Sequence, residues 1–124
     1  MPANVEAMVK GCVPSDVPLA FMLDRSHCVV APHSHATIKD LNRIWSDAAL
    51  NPKRTWHEAN TVLIDDSPSK AARTPLNGLP VSTFELKPGG SSEKDAVLET
   101  LGGMLLQWKE GLSAQQWCKQ NYSR

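Results

Sequence analysis

No apolar run in this chain approaches the roughly 20 residues that a membrane-spanning helix needs, and the N-terminus lacks the basic-then-apolar order of a secretory leader. No membrane partner is expected. Excess charge of either sign is also missing: 13 lysines and arginines balance 13 aspartates and glutamates. Without a net field there is little to hold a nucleic-acid backbone, so nucleic acid is not expected as a partner. Cysteine is scarce, with Cys12, Cys28 and Cys118 odd in number and far apart. That excludes a paired disulfide framework and points to a reducing compartment, nucleus or cytoplasm. No internal repeat is present.

What is there suits one core. At 124 residues and 41% hydrophobic content, a single domain over residues 1–124 is expected. Asn4 to Lys10, closed by Gly11, has the spacing of a short helix. Leu19 to Asp24 reads as an apolar strand ending in an acid. Ile38, Leu41, Ile44 and Trp45 mark an amphipathic helix that stops before Pro52. A short helix is expected from Pro68 to Arg73, a turn at Asn77-Gly78, and a strand from Leu79 to Phe84. Lys87 to Ser92 is the most loop-like segment. Ala96 to Trp108 reads as a helix interrupted at Gly102-Gly103, and Ser113 as the cap of a last helix bearing Trp117. Strands alternating with helices point to α/β architecture with a mainly parallel sheet.

The most informative stretch is Thr61-Val62-Leu63-Ile64-Asp65-Asp66-Ser67-Pro68. Four β-favouring residues in a row read as a strand buried on both faces. Ser67 as N-cap and Pro68 at the first helical position then turn the chain away. Ligands in open α/β sheets bind beyond the carboxyl ends of strands, and paired carboxylates there suit a hard cation such as Mg²⁺. The same doublet also fits a plain turn in an ordinary α/β domain, one carboxylate capping and the other in water.

In order along the chain stand "IKDLNRIW", "NTVLIDDSPSKAA", "PLNGLPVSTF" and "EKDAVLETLGGMLLQW", with "FMLDRSHC" upstream. Together they resemble the C-terminal half of the phosphatases that act on the RNA polymerase II C-terminal domain. Those belong to the haloacid dehalogenase superfamily, with the nuclear LIM-interactor-interacting factors and a subunit of the mitochondrial inner-membrane translocase. The likeness covers about residues 4–108, leaving 109–124 as a C-terminal helical extension. It implies a three-layer Rossmann-like parallel sheet and a Mg²⁺-dependent attack by an aspartate on phosphoserine or phosphothreonine in a protein or peptide segment. It matches Lys39 to the lysine that neutralises phosphate charge, Asp66 to the Mg²⁺-side acid, where family members carry Asp or Asn, and Asp65 to the acid before it. Charge stabilisation of this kind is the main work in phosphoryl transfer.

The departure matters as much as the match. The family's nucleophile lies in Asp-x-Asp-x-Thr or Asp-x-Asp-x-Val, and no Asp-x-Asp occurs in this chain. Asp24-Arg25-Ser26 is the nearest imitation, but Ser26 stands where the acid/base carboxylate belongs, and a hydroxyl is a poor general acid. The helix that follows the family's second motif comes directly after Met1. The chain is therefore expected to begin inside the domain, to lack the first strand, and to be inactive alone. A missing strand exposes a sheet edge, so a partner is expected: the absent N-terminal half or a second copy. The alternative is a non-catalytic interaction module, as the translocase subunit is.

Weaker signals remain. His33 and His35, with His27 and Cys28, contain zinc-ligand types but fit no standard zinc spacing. Cys28 reads as a small buried hydrophobe, and Trp45 and Trp108 as core residues on helical faces. Arg25 has three candidate partners: a substrate phosphate, Asp24 and Asp40.

Overall fold

In the computed structural model, which describes residues 2–84 and 96–122, short helices alternate with very short strands. The loop expected at Lys87–Ser92 lies outside the described residues. Helix α1 (Pro2–Cys12) is longer than its apolar spacing required and carries Lys10 in its last turn, favourable for the helix dipole.

The strand expected at Leu19–Asp24 is not formed. Its apolar residues have β propensity, but a strand exists through a hydrogen-bond ladder, and this segment pairs with no other among the described residues. Its anchor is Phe21, set edge-on to Trp56 at 5.6 Å. Asp24 instead caps a 3-10 turn, Arg25–His27, by accepting the Ser26 backbone N–H. Strands β1 (Val29–Val30) and β2 (Thr37–Ile38) then pair antiparallel, Val29 opposite Ile38. That pairing takes Ile38 out of the helix expected to include it. Helix α2 (Leu41–Trp45) starts only after Asp40, whose carboxylate accepts the Asn42 N–H at 3.0 Å.

Strand β3 (Leu63–Asp65) runs parallel to β4 (Gly78–Pro80), with Leu63, Ile64 and Asp65 opposite Gly78, Leu79 and Pro80. Between them lie two 3-10 turns, Pro68–Ala71 and Pro75–Asn77. The turn expected at Asn77-Gly78 is thus a 3-10 exit straight into β4, which is shorter than the strand foreseen. Gly78 is required for packing rather than for a turn, because a Cβ there would lie 2.6 Å from Ala71 Cβ. β3 is half-buried rather than buried on both faces. Ile64 and Val62 pack on the core, whereas Leu63 lines a cavity, and β3 is paired along one edge only among the described residues.

Helix α3 (Val97–Leu106) runs uninterrupted through Gly102-Gly103. Neither glycine adopts a positive φ, so the weak pair lowers propensity without breaking the helix. Helix α4 (Ala114–Asn121) begins with a capping box, Ser113 Oγ accepting the Gln116 N–H and Gln116 Oε1 accepting the Ser113 N–H. It is no mere extension, since Trp117 and Cys118 share one core with Leu79 and Leu101. Trp108 and Trp117 stack at 5.1 Å, and their indole N–H groups donate to the carbonyls of Leu112 and Met104. The result is a mixed α/β arrangement with a small parallel sheet and a separate antiparallel pair. Among the described residues no helix is long and apolar enough to cross a membrane.

Candidate functional site

Asp65 ends β3, where its carbonyl accepts the Val81 N–H at 3.0 Å. Its carboxylate is therefore fixed at the carboxyl end of the parallel pair. Oδ1 accepts the Ser67 N–H at 2.9 Å, an Asx turn that starts the Pro68–Ala71 segment. Oδ2 accepts Lys39 Nζ at 2.5 Å, from a residue 26 positions away in sequence. The Asp65 side chain is 13% exposed and that of Lys39 47% exposed, so the pair sits at a surface with the acid underneath. Burial pushes the Asp65 carboxyl up. The hydrogen bonds from Lys39 and Ser67, with the Lys39 charge, outweigh it and hold the group below its ordinary 3.8.

Asp66 lies beside Asp65, close enough that its side chain helps to hold the Asp65 carboxyl down. It is nevertheless exposed, and the Ser67 hydroxyl lies 3.5 Å from its Oδ1. The two acids thus divide: Asp65 is engaged from within the protein, and Asp66 faces outward. Lys39 lines a cavity of about 510 Å³ together with Leu63, Leu41, Cys28 and Arg25. Asp66 borders another, of about 530 Å³, between the end of β4 and α3.

The segment bearing Lys39 is tied down from the acid side. Lys70 Nζ donates to the Thr37 carbonyl at 3.0 Å and to Thr37 Oγ1 at 2.8 Å, and the Lys39 N–H donates to the Lys70 carbonyl at 2.9 Å. Arg73 pairs with Asp40 at 3.6 Å. Sequence reasoning missed Thr37, Lys70 and Arg73. Lys70 and Thr37 are 33 residues apart, and no local pattern links them.

The other candidates lie elsewhere. Asp24 accepts bonds from the Ser26 hydroxyl and N–H, which hold its carboxyl below the ordinary value. Asp40 pairs with Arg73, and Arg25 forms no ion pair among the described residues, so it reaches neither Asp24 nor Asp40. His33, at φ 59, and His35 are exposed in the β1–β2 connection. Cys28 is only half-buried and lines the same cavity as Lys39, a correction to its expected burial. Trp45 is half-buried and donates to Thr61 Oγ1 at 3.0 Å.

For a cation, Asp65 and Asp66 supply hard oxygen donors, and no group of three or more histidines, cysteines or acids suited to a metal occurs among the described residues. Two carboxylates would suit Mg²⁺, an ion commonly held through one or two carboxylates with water and phosphate oxygens completing its shell. They do not make a closed cage.

Comparison with known proteins gives two matches. A family model described as NLI interacting factor-like phosphatase fits residues 1–115, slightly beyond the 4–108 expected. An uncharacterized FCP1 homology domain-containing protein of Schizosaccharomyces pombe is 35% identical over 66 residues, which is 50% of this chain and 27% of that protein. The chain thus matches about a quarter of that relative's length. No solved structure matches.

Proposed function

The chain belongs to the NLI interacting factor-like phosphatase family, and from that premise we propose that it supplies one half of a phosphate- and magnesium-handling pocket in a protein serine/threonine phosphatase. The observation that carries the reading is the contact of Lys39 Nζ with Asp65. Folding brings a cation to an acid at the carboxyl end of a parallel strand, the place where open α/β sheets bind ligands. A phosphoryl group in transfer spreads charge over three equatorial oxygens. An ammonium already oriented by Asp65 neutralises that charge with little reorganisation. Asp66, open to solvent, and Asp65 would hold Mg²⁺, which when bound adds positive charge at the phosphate.

The remaining half is a strand ending in Asp-x-Asp-x-Thr. Among the described residues β3 is paired along one edge, and its other edge and the cavity beside Leu63 are compatible with such a strand, whose addition would extend the sheet towards the three-layer haloacid dehalogenase form. No residue of this chain is assigned as nucleophile, so these 124 residues alone are proposed to be inactive. The phosphorylated substrate is a protein or peptide segment, and the compartment is nuclear or cytoplasmic.

A second reading, a non-catalytic interaction module on the same fold, is favoured by one feature: the Lys39 charge is already balanced by Asp65. An aryl-phosphate hydrolysis assay with Mg²⁺ separates the two. The chain alone should show no turnover. Mixed with an N-terminal fragment carrying Asp-x-Asp-x-Thr, it should hydrolyse the ester, and Lys39→Met or Asp66→Ala should abolish that gain. Turnover by the chain alone would contradict the half-site, and a mixture that binds but never hydrolyses would favour the interaction module.

A further inference from the structure

We infer that Lys70 is a positioning residue, whose side chain and carbonyl together hold Lys39 against Asp65. The contacts form a closed circuit. Asp65 Oδ1 takes the Ser67 N–H at 2.9 Å, and the Ser67 carbonyl takes the Lys70 N–H at 3.0 Å. The Lys70 ammonium reaches Thr37 O and Oγ1 at 3.0 and 2.8 Å. The Lys70 carbonyl takes the Lys39 N–H at 2.9 Å, and Lys39 Nζ returns to Asp65. Each link is a hydrogen bond, and the segments joined, 37–39 and 65–70, are far apart in sequence.

The chemistry of the Lys70 contacts explains the choice of a lysine. Its acceptors are neutral, a carbonyl and a hydroxyl, and charge-assisted bonds to them are stronger than neutral ones. Two of the three ammonium hydrogens are spent on Thr37, which makes Lys70 a support rather than a ligand. A half-buried cation on neutral acceptors is a costly way to gain stability alone. It is a good way to fix the register of β2, and hence the direction in which Lys39 leaves it. Lys39 stands two positions beyond Thr37, so a slip at Thr37 moves the ammonium off the acid.

The inference rests on the phosphate role proposed for Lys39, but its test reads the Lys39–Asp65 contact without phosphate or Mg²⁺. The measurement is the side-chain ammonium ¹H–¹⁵N NMR spectrum of the full chain. Lys39 should give a resolved, slowly exchanging ammonium resonance, assigned by its disappearance in Asp65→Asn. In Lys70→Met that resonance should be lost to exchange while the fold persists. In Lys70→Arg it should return, because the guanidinium donates to the same two acceptors. A folded Lys70→Met protein with an unchanged Lys39 resonance overturns the inference. Should Lys70→Met fail to fold, Thr37→Val decides: a shifted Lys39 resonance supports the clamp, and an unmoved one overturns it. Failure of the phosphate reading would show in the hydrolysis assay and leave this spectrum as expected.

Discussion

From Val5 to Asp40 no residue is buried, whereas Leu41, Ala71, Leu79, Leu101, Ala114, Trp117 and Cys118 form buried apolar positions in the remainder. The first region leaves Met8, Val17, Leu19 and Met22 between 45% and 67% exposed, although its hydrophobic residues are as frequent to the eye as those that pack. The difference is one of partners. In the second region, strands pair in parallel and helices α3 and α4 cover one face of them. In the first, the apolar segment at 19–24 contributes one aromatic contact, Phe21 on Trp56, and no buried residue. The candidate site straddles this division, taking Lys39 from the loose region and Asp65 from the packed one. Its geometry depends on the bonds that cross the boundary.

The comparison breaks if the two regions respond alike to truncation. Trp117→Ala should cost about 3–5 kcal/mol in denaturant unfolding, because a side chain 2% exposed and stacked on Trp108 leaves a cavity. Leu19→Ala should change stability by less than about 0.5 kcal/mol, as for an exposed site without special contacts. Equal costs would mean that the N-terminal region carries a core of its own. Gly78→Ala comes next, at about 1–3 kcal/mol by overpacking, since the new methyl meets Ala71 Cβ at 2.6 Å.

Titration sharpens the contrast further. Burial raises the Cys118 thiol from 9.0 to about 11. The folded state therefore favours the neutral thiol: stability is complete below pH 9 and falls as pH rises from 9 to 11. Thermal melts across that window should show the decline, and Cys118→Ala should flatten it. Exposed Cys12 should react with a thiol reagent before Cys118 does. The smallest effect belongs to the candidate site. Asp65 is depressed in the fold, so its contribution is present above its ordinary 3.8 and lost as pH falls through the lower folded value. With half of Lys39 in water, Asp65→Asn should cost no more than about 1 kcal/mol. A larger loss would make the pair structural.

Sequence patterns were legible where the cause is local. Ser113 is a cap whose own next residues complete the bond, as expected, whereas Asp40, expected within the first turn, is the cap itself. The strand carrying Asp65 announced itself by four β-favouring residues and a stop, and the juxtaposition of Lys39 with the acid doublet was expected from a family resemblance. Where the cause is distant, sequence fell short. β1 and β2 hold two residues each, too few for any periodicity, and they exist because Val29 meets Ile38. Leu19–Asp24 has the composition of a strand and lacks the neighbour. Gly78 serves a contact with Ala71, and Lys70 a contact with Thr37, neither of which any window of sequence contains.

The central claim is that Lys39, Asp65 and Asp66 form half of a pocket for phosphate and magnesium. Titration of the chain with Mg²⁺ and orthophosphate, followed by NMR at these three residues, tests it most directly. The account predicts that Mg²⁺ perturbs Asp65 and Asp66, that phosphate then perturbs the Lys39 ammonium, and that Asp66→Ala removes both responses. Shifts scattered over unrelated surface carboxylates, with Lys39 unmoved and Asp66→Ala without effect, would contradict it.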